Sequence, residues 1–299
     1  MHNEEEFYSF TNITIHQFNV LRDMLGPYLE KSSNRPSLPS VLRFAAVLNN
    51  LAKADSAHKN ALFYSIGQST LYAIVPEVCD ILSTVLGQRY LRKPSLEDFK
   101  RVAEELTGLD FPHWVGLLDG KHCSIRKPMH SGSAYYNYKK FHSIVLLAIT
   151  NIHKRSLIVN LGGYGSLNDA FTFNNSDICA GLEKSEVSIP PPELLPGSEA
   201  LVPYYLIGDG GFPVKQYLMK PYTRVNNMMP NMEIFNLRLS HVRQTVECAF
   251  RSPTKFWVVH QKELCWKLST SEQIIMSTIC LQNYKITIGS REERGFVNH

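Results

Sequence analysis

The 299-residue chain has no C-x-x-C pair among its six cysteines and no paired-histidine spacing. That argues against a structural zinc site and leaves a reduced, intracellular protein as the simplest reading. Cys123 beside His122 is a poor candidate nucleophile pair, because neighbours on a strand face opposite sides. No apolar run approaches the roughly 20 residues a membrane crossing needs, and residues 144–149 read as a strand, so no membrane partner is expected. Residues 1–10 are acidic and polar, unlike a signal or transit peptide. The chain has no internal repeat, no low-complexity tail and no run of five basic residues. With a formal net charge of +4, nucleic-acid binding would have to come from local basic patches.

What is present supports an α/β reading in two parts. At 44% hydrophobic, the chain can fill one large core or a core plus a smaller helical domain. Apolar residues at helical spacing predict helices over 15–29, stopping near Gly26-Pro27, and over 41–52. A helix over 57–64, a glycine-containing turn at 66–70 and an apolar helix over 72–85 resemble a helix-turn-helix, with an ordinary helical bundle as the alternative. The helical N-terminal domain is thus expected over 1–110 and the main domain over 111–299. There the pattern changes to short apolar strands at 115–119, 143–150, 157–161 and 204–208. The proline-rich residues 189–196 read as an exposed loop, and helices are expected over 234–250 and 271–284.

Three segments carry candidate chemistry: Gly116-Leu-Leu-Asp119-Gly-Lys-His-Cys-Ser-Ile125, Tyr205-Leu-Ile-Gly-Asp209-Gly-Gly-Phe-Pro213 and Arg243-Gln-Thr-Val-Glu247-Cys-Ala-Phe-Arg251. Two end strands with an acid and the third carries an acid in a helix. Hard divalent cations take oxygen ligands from rigid elements, so this is a candidate two-metal phosphodiester-cleaving set. Taken singly, Asp119 also fits an Asp-Gly hairpin turn, Asp209 a strand-end turn, and Glu247 a solvent-facing helical position. Asp169 is a fourth candidate, which equally suits a helix N-terminus. Lys139, Lys140, Arg238, Arg243, Arg251 and Lys255 are candidate phosphate contacts, and Tyr135, Tyr136 and Tyr138 candidate stacking partners for bases.

These blocks, with Asn137-Tyr-Lys-Lys-Phe-His-Ser143, Gly165-Ser-Leu-Asn-Asp-Ala-Phe-Thr-Phe173 and Cys280-Leu-Gln-Asn-Tyr284, resemble the PIF/Harbinger DDE transposases and the Harbinger transposase-derived nucleases over nearly the whole chain. The resemblance implies an RNase H-like mixed-sheet catalytic core flanked by helices, with Asp119, Asp209 and Glu247 catalytic and metal-binding and Asp169 in the same region. It also implies Mg²⁺ or Mn²⁺ as cofactor, DNA as substrate, a Myb-like DNA-binding partner protein and a nuclear location. A homo-oligomer is compatible with this. The chain departs from the family at Asn168, where His is usual, at Gly210, where Ser is usual, and at Phe250-Arg251-Ser252-Pro253. Every acid is kept, which fits an active nuclease and also a domesticated, catalytically silent DNA-binding or protein-interaction module.

Overall fold

The computed structural model describes residues 2–30, 37–105, 111–195 and 197–295, with side chains outside positions 2, 245–255 and 290–295. In chain order the elements are α1 (His2–Thr11), α2 (Ile15–Leu29), α3 (Ser40–Lys53), α4 (Ala57–Phe63), α5 (Gln68–Tyr90), α6 (Leu96–Glu104), β1 (Trp114–Ser124), β2 (Ser143–Thr150) and β3 (Ser156–Tyr164). They continue as α7 (Asp169–Asn174), α8 (Asp177–Glu183), β4 (Glu193–Leu194), β5 (Leu201–Val202), β6 (Tyr205–Ile207), β7 (Leu218–Met219), α9 (Pro230–Phe256) and α10 (Leu268–Gly295). The chain forms two compact units: residues 1–91, 124–128 and 252–299 in one, and residues 92–123 and 129–251 in the other. This packing does not follow the linear division expected near residue 110. α6 groups with the sheet, and α10 groups with the N-terminal helices.

The helical unit is built around α5 and α10. Tyr90 and Tyr284 meet edge-to-face at 5.4 Å, and the Tyr284 hydroxyl donates to the Gln17 carbonyl at 2.7 Å. Thr14 and Gln17 form a reciprocal capping box that satisfies free amides at the start of α2. The helix was expected to stop near Gly26-Pro27, yet it runs to Leu29 with Pro27 inside. Buried Leu25 and Leu29 gain enough packing in that last turn to offset the missing donor. By length and composition α5 is apolar enough to cross a membrane, contrary to the sequence reading. Here it is a core helix, burying Leu71, Val75, Val78, Leu82 and Leu86.

The second unit holds a five-stranded mixed sheet in the order β3-β2-β1-β6-β7. β2 pairs antiparallel with β3, whereas β6 runs parallel to both β1 and β7. Every residue of β2 is buried, which is why Ile144 to Ile149 reads as a continuous apolar run. One face of the sheet, through Val115, Leu118, Leu147 and Leu206, packs with Phe99, Phe173, Ile178 and Leu182 of α6, α7 and α8. The other face, through Trp114, Leu117, Tyr205 and Ile207, packs with Leu239 and Val242 of α9. Two readings need correction. β1 does not end at Asp119 but continues to Ser124, and the proline-rich stretch contributes β4, which pairs with β5. Leu206 is fully buried between β1 and β7, so Leu206→Ala is expected to cost about 2–5 kcal/mol of unfolding free energy, measured by denaturant titration.

Candidate active site

Parallel strands β1 and β6 pair Gly116 with Leu206 and Leu117 with Ile207. Asp119 and Asp209 each lie two residues beyond that last pair, so both acids stand at the same level of the sheet. Side chains alternate along a strand, which sets Asp119 on the side of Leu117, the side covered by α9. Asp119 lies inside β1 rather than in a hairpin turn, and its Oδ1 accepts from the Gly120 amide at 2.8 Å. Asp209 follows β6, and its Oδ1 accepts from the Gly211 amide at 2.8 Å.

Asp169 opens α7 directly after Asn168, whose side chain caps the helix by accepting from the Phe171 amide at 2.8 Å. The capping role considered for this pair therefore falls to Asn168 and leaves the Asp169 carboxylate to the site. A methyl group built on Gly120 would lie 3.2 Å from Oδ1 of Asp169, and one on Gly211 would lie 3.2 Å from its Oδ2 and 3.1 Å from Oδ1 of Asp209. The carboxylate is thus seated closely against Gly120 of β1 and Gly211 of the loop after β6. By alternation Gly120 faces the side opposite Asp119, so Asp169 approaches β1 from the α7 side. Burial first, and then the negative charge of Asp209, raise the Asp169 pKa above its ordinary value, while Lys139 opposes the rise.

Lys121 was not singled out in the sequence, although period-two alternation from Asp119 puts it on the same side. Its side chain is half-buried; burial lowers its pKa, and the charge of Asp119 works against that. Cys123 is buried and its thiol is pushed up to about 11, which removes it as a nucleophile. Lys139 and Lys140 are exposed, and the charge of Lys139 is felt at both Asp169 and His122. Arg238 is exposed on α9 and Arg243 is half-buried there. The side chains of Glu247, Arg251 and Lys255 lie outside the described residues, although their backbone belongs to α9. Among the described residues, no three His, Cys, Asp or Glu side chains stand close enough together to hold a metal ion. What is brought together is the pair Asp169 and Asp209, with Asp119 level with them in the sheet.

A family model described as DDE superfamily endonuclease matches residues 118–283, more than half of the chain. The chain belongs to the DDE superfamily endonucleases. The matched stretch of this DDE chain contains Asp119, Asp169, Asp209 and Glu247. Among curated proteins, "Protein ALP1-like" of Arabidopsis thaliana is 28% identical over 219 residues, covering 72% of this chain and 52% of that protein. "Putative nuclease HARBI1" of Homo sapiens is 26% identical over 239 residues, covering 78% of this chain and 62% of that protein. These relatives bear out the resemblance drawn from the sequence blocks, and the chain spans about half to three fifths of their length. No solved structure matches.

The raised Asp169 pKa fixes the sign of a pH effect. A carboxylate whose pKa is higher folded than unfolded binds more protons in the native state, so stability falls as pH rises from the ordinary value of 3.8 through the raised one. In metal-free protein, Asp169→Asn is expected to flatten that fall and raise the unfolding midpoint at neutral pH, with the gain disappearing in acid. Midpoints of thermal unfolding collected across pH check this.

Proposed function

We propose that this DDE family member is a divalent-metal-dependent DNA endonuclease of the transposase type, with an RNase H-like catalytic core formed by the sheet unit. The observation that carries the reading is the β1–β6 register, which sets Asp119 on β1 level with Asp209 just after β6. α9, the helix carrying Glu247, covers the side to which Asp119 belongs. Carboxylates are hard oxygen donors suited to Mg²⁺ or Mn²⁺, and the mutual repulsion of Asp169 and Asp209 is the electrostatic condition a cation relieves. In donor chemistry the residues present fit such ions, which Asp119, Asp209 and Glu247 would hold. Bound divalent ions supply Lewis-acid activation of a phosphodiester and a more acidic attacking water.

The chain's own groups have separate tasks in this reading. Asp169 adds negative charge beside Asp209, and Lys121 limits the charge beside Asp119. Lys139, Lys140, Arg238, Arg243, Arg251 and Lys255 take DNA phosphates, neutralising charge along the strand. A freed 3′-hydroxyl would be the nucleophile of a later strand-transfer step, so no side-chain nucleophile is required. The same reading extends to a Myb-like DNA-binding partner, a homo-oligomer and a nuclear location. The linear division into 1–110 and 111–299 is kept here as a functional one, with sequence-blocks of the site beginning after residue 110. For α4 and α5, a packing role is favoured over the reading of DNA, since α5 carries Glu77 and Asp80 and only Arg89 as a basic residue.

Nicking of supercoiled plasmid by the purified chain in Mn²⁺ tests the proposal, beside Asp119→Asn and Asp209→Asn. Wild-type nicking is expected, with a loss of at least about a hundredfold in each variant, in line with removal of one charge-stabilising group. DNA binding without nicking in any preparation, with a Myb-like partner added, would instead support a silent DNA-binding module. Mg²⁺ or Mn²⁺ is also expected to raise the thermal midpoint of the wild-type chain by mass action, and to raise that of Asp209→Asn much less.

A further inference from the structure

The segment from Tyr135 to Ser143, which leads into β2, is held far more rigidly than an exposed connection requires. Asn137 is buried and closes a tight turn: its amide donates to the Phe141 carbonyl at 2.9 Å, and its Oδ1 accepts from the amides of Lys139 and Phe141 at 2.9 and 3.3 Å. Its Nδ2 donates to Ser143 Oγ at 2.8 Å. Ser143 Oγ also lies within hydrogen-bond distance, 2.9 Å, of Nδ1 of His122 on β1. Burial, and then the charge of Lys139, lower the pKa of the His122 imidazole. The His122 ring is in turn flanked edge-on by Tyr138 and Phe141, at centroid distances of 5.6 and 6.4 Å.

From behind, Gly165 closes the assembly. A methyl group there would come within 2.5 Å of the carbonyl oxygens of both Ser143 and Tyr135, so no other residue fits. The turn carries two groups outward. Tyr138 is 78% exposed, and Lys139 Nζ lies 5.3 Å from the centroid of its ring. Tyr135, by contrast, packs edge-on against Tyr164 at 5.2 Å, and Tyr136 against His142 at 5.2 Å. Of the three tyrosines, only Tyr138 offers a largely open ring beside a cation, and that cation's field reaches Asp169.

We propose that the turn from Asn137 to Phe141 is a preformed single-strand platform: Tyr138 stacks on one unpaired base of DNA while Lys139 takes the adjoining phosphate, and His122 is the positioning residue that holds the turn through Ser143. The proposal rests on the DNA-nuclease reading for its ligand, and it adds a site for a strand that has left the duplex. Stacking on an aromatic face is sequence-tolerant and needs an unstacked base, so the platform discriminates single strand from duplex rather than one sequence from another. The cation beside the ring strengthens both contacts.

The test is fluorescence anisotropy in EDTA, with the full chain, on a labelled single-stranded oligonucleotide and on the same sequence as a blunt duplex. Tyr138→Ala is expected to weaken single-strand binding by about tenfold and duplex binding by less than about twofold, while Tyr138→Phe keeps both. His122→Phe retains a ring between Tyr138 and Phe141 but cannot hydrogen-bond Ser143; it is expected to lose the same single-strand preference with its unfolding midpoint kept. Equal losses on both DNAs, or no loss with Tyr138→Ala, would overturn the platform. Because EDTA removes cleavage from the assay, a single-strand preference that depends on Tyr138 stands even if plasmid nicking fails. Nicking without that preference removes only the platform.

Discussion

The parallel pairing of β1 with β6 is the constraint on which the sheet unit depends. Two strands distant in sequence are joined in one register, and Leu117 and Ile207 must be buried together against α9 for that register to be kept. A slip by one residue would exchange the two faces of β6, sending Ile207 toward the α7 side and Leu206 toward α9. The same slip would take Asp209 out of line with Asp119. Packing of apolar residues and alignment of acids are therefore a single requirement, satisfied once.

The second theme is electrostatic cost. Asp169 is seated among glycines at a place where burial and Asp209 both disfavour its charge. A fold concerned only with stability would put an amide or an apolar group there. Local costs of this kind collect where a site has been arranged for a ligand of opposite charge, and the neighbouring cation Lys139 lowers the cost without removing it. Asn168, standing where the family usually has histidine, still serves α7 as its cap, so the departure leaves the seat of Asp169 intact.

Local sequence signals failed at particular residues for particular reasons. Asp119-Gly120 has the chemistry of a hairpin turn, yet β1, which lies between β2 and β6 in the sheet, continues through it to Ser124. Pro27 marks a helix end in isolation, but one further turn buries Leu29. The short strands β4 and β7 carry too few residues to show any periodicity. Lys121 stood beside the first acid and was passed over, and His122 was weighed only as a neighbour of Cys123, since only the alternation of a continued strand gives each of them a side.

The sequence alone determined the acids, their order, the family and the longer elements: β2 is legible from its apolar run, and α10 from its helical spacing. These are properties of local chemistry, recorded at each position. Tertiary structure decided that Asp169 meets Asp209 from the α7 side while Asp119 belongs to the side of α9. It also joined α10 to the N-terminal helices and raised Tyr138 above its neighbours as an open ring on a rigid turn. Those outcomes depend on pairing and burial between residues far apart in the chain, where register and close approach, rather than residue type, carry the information.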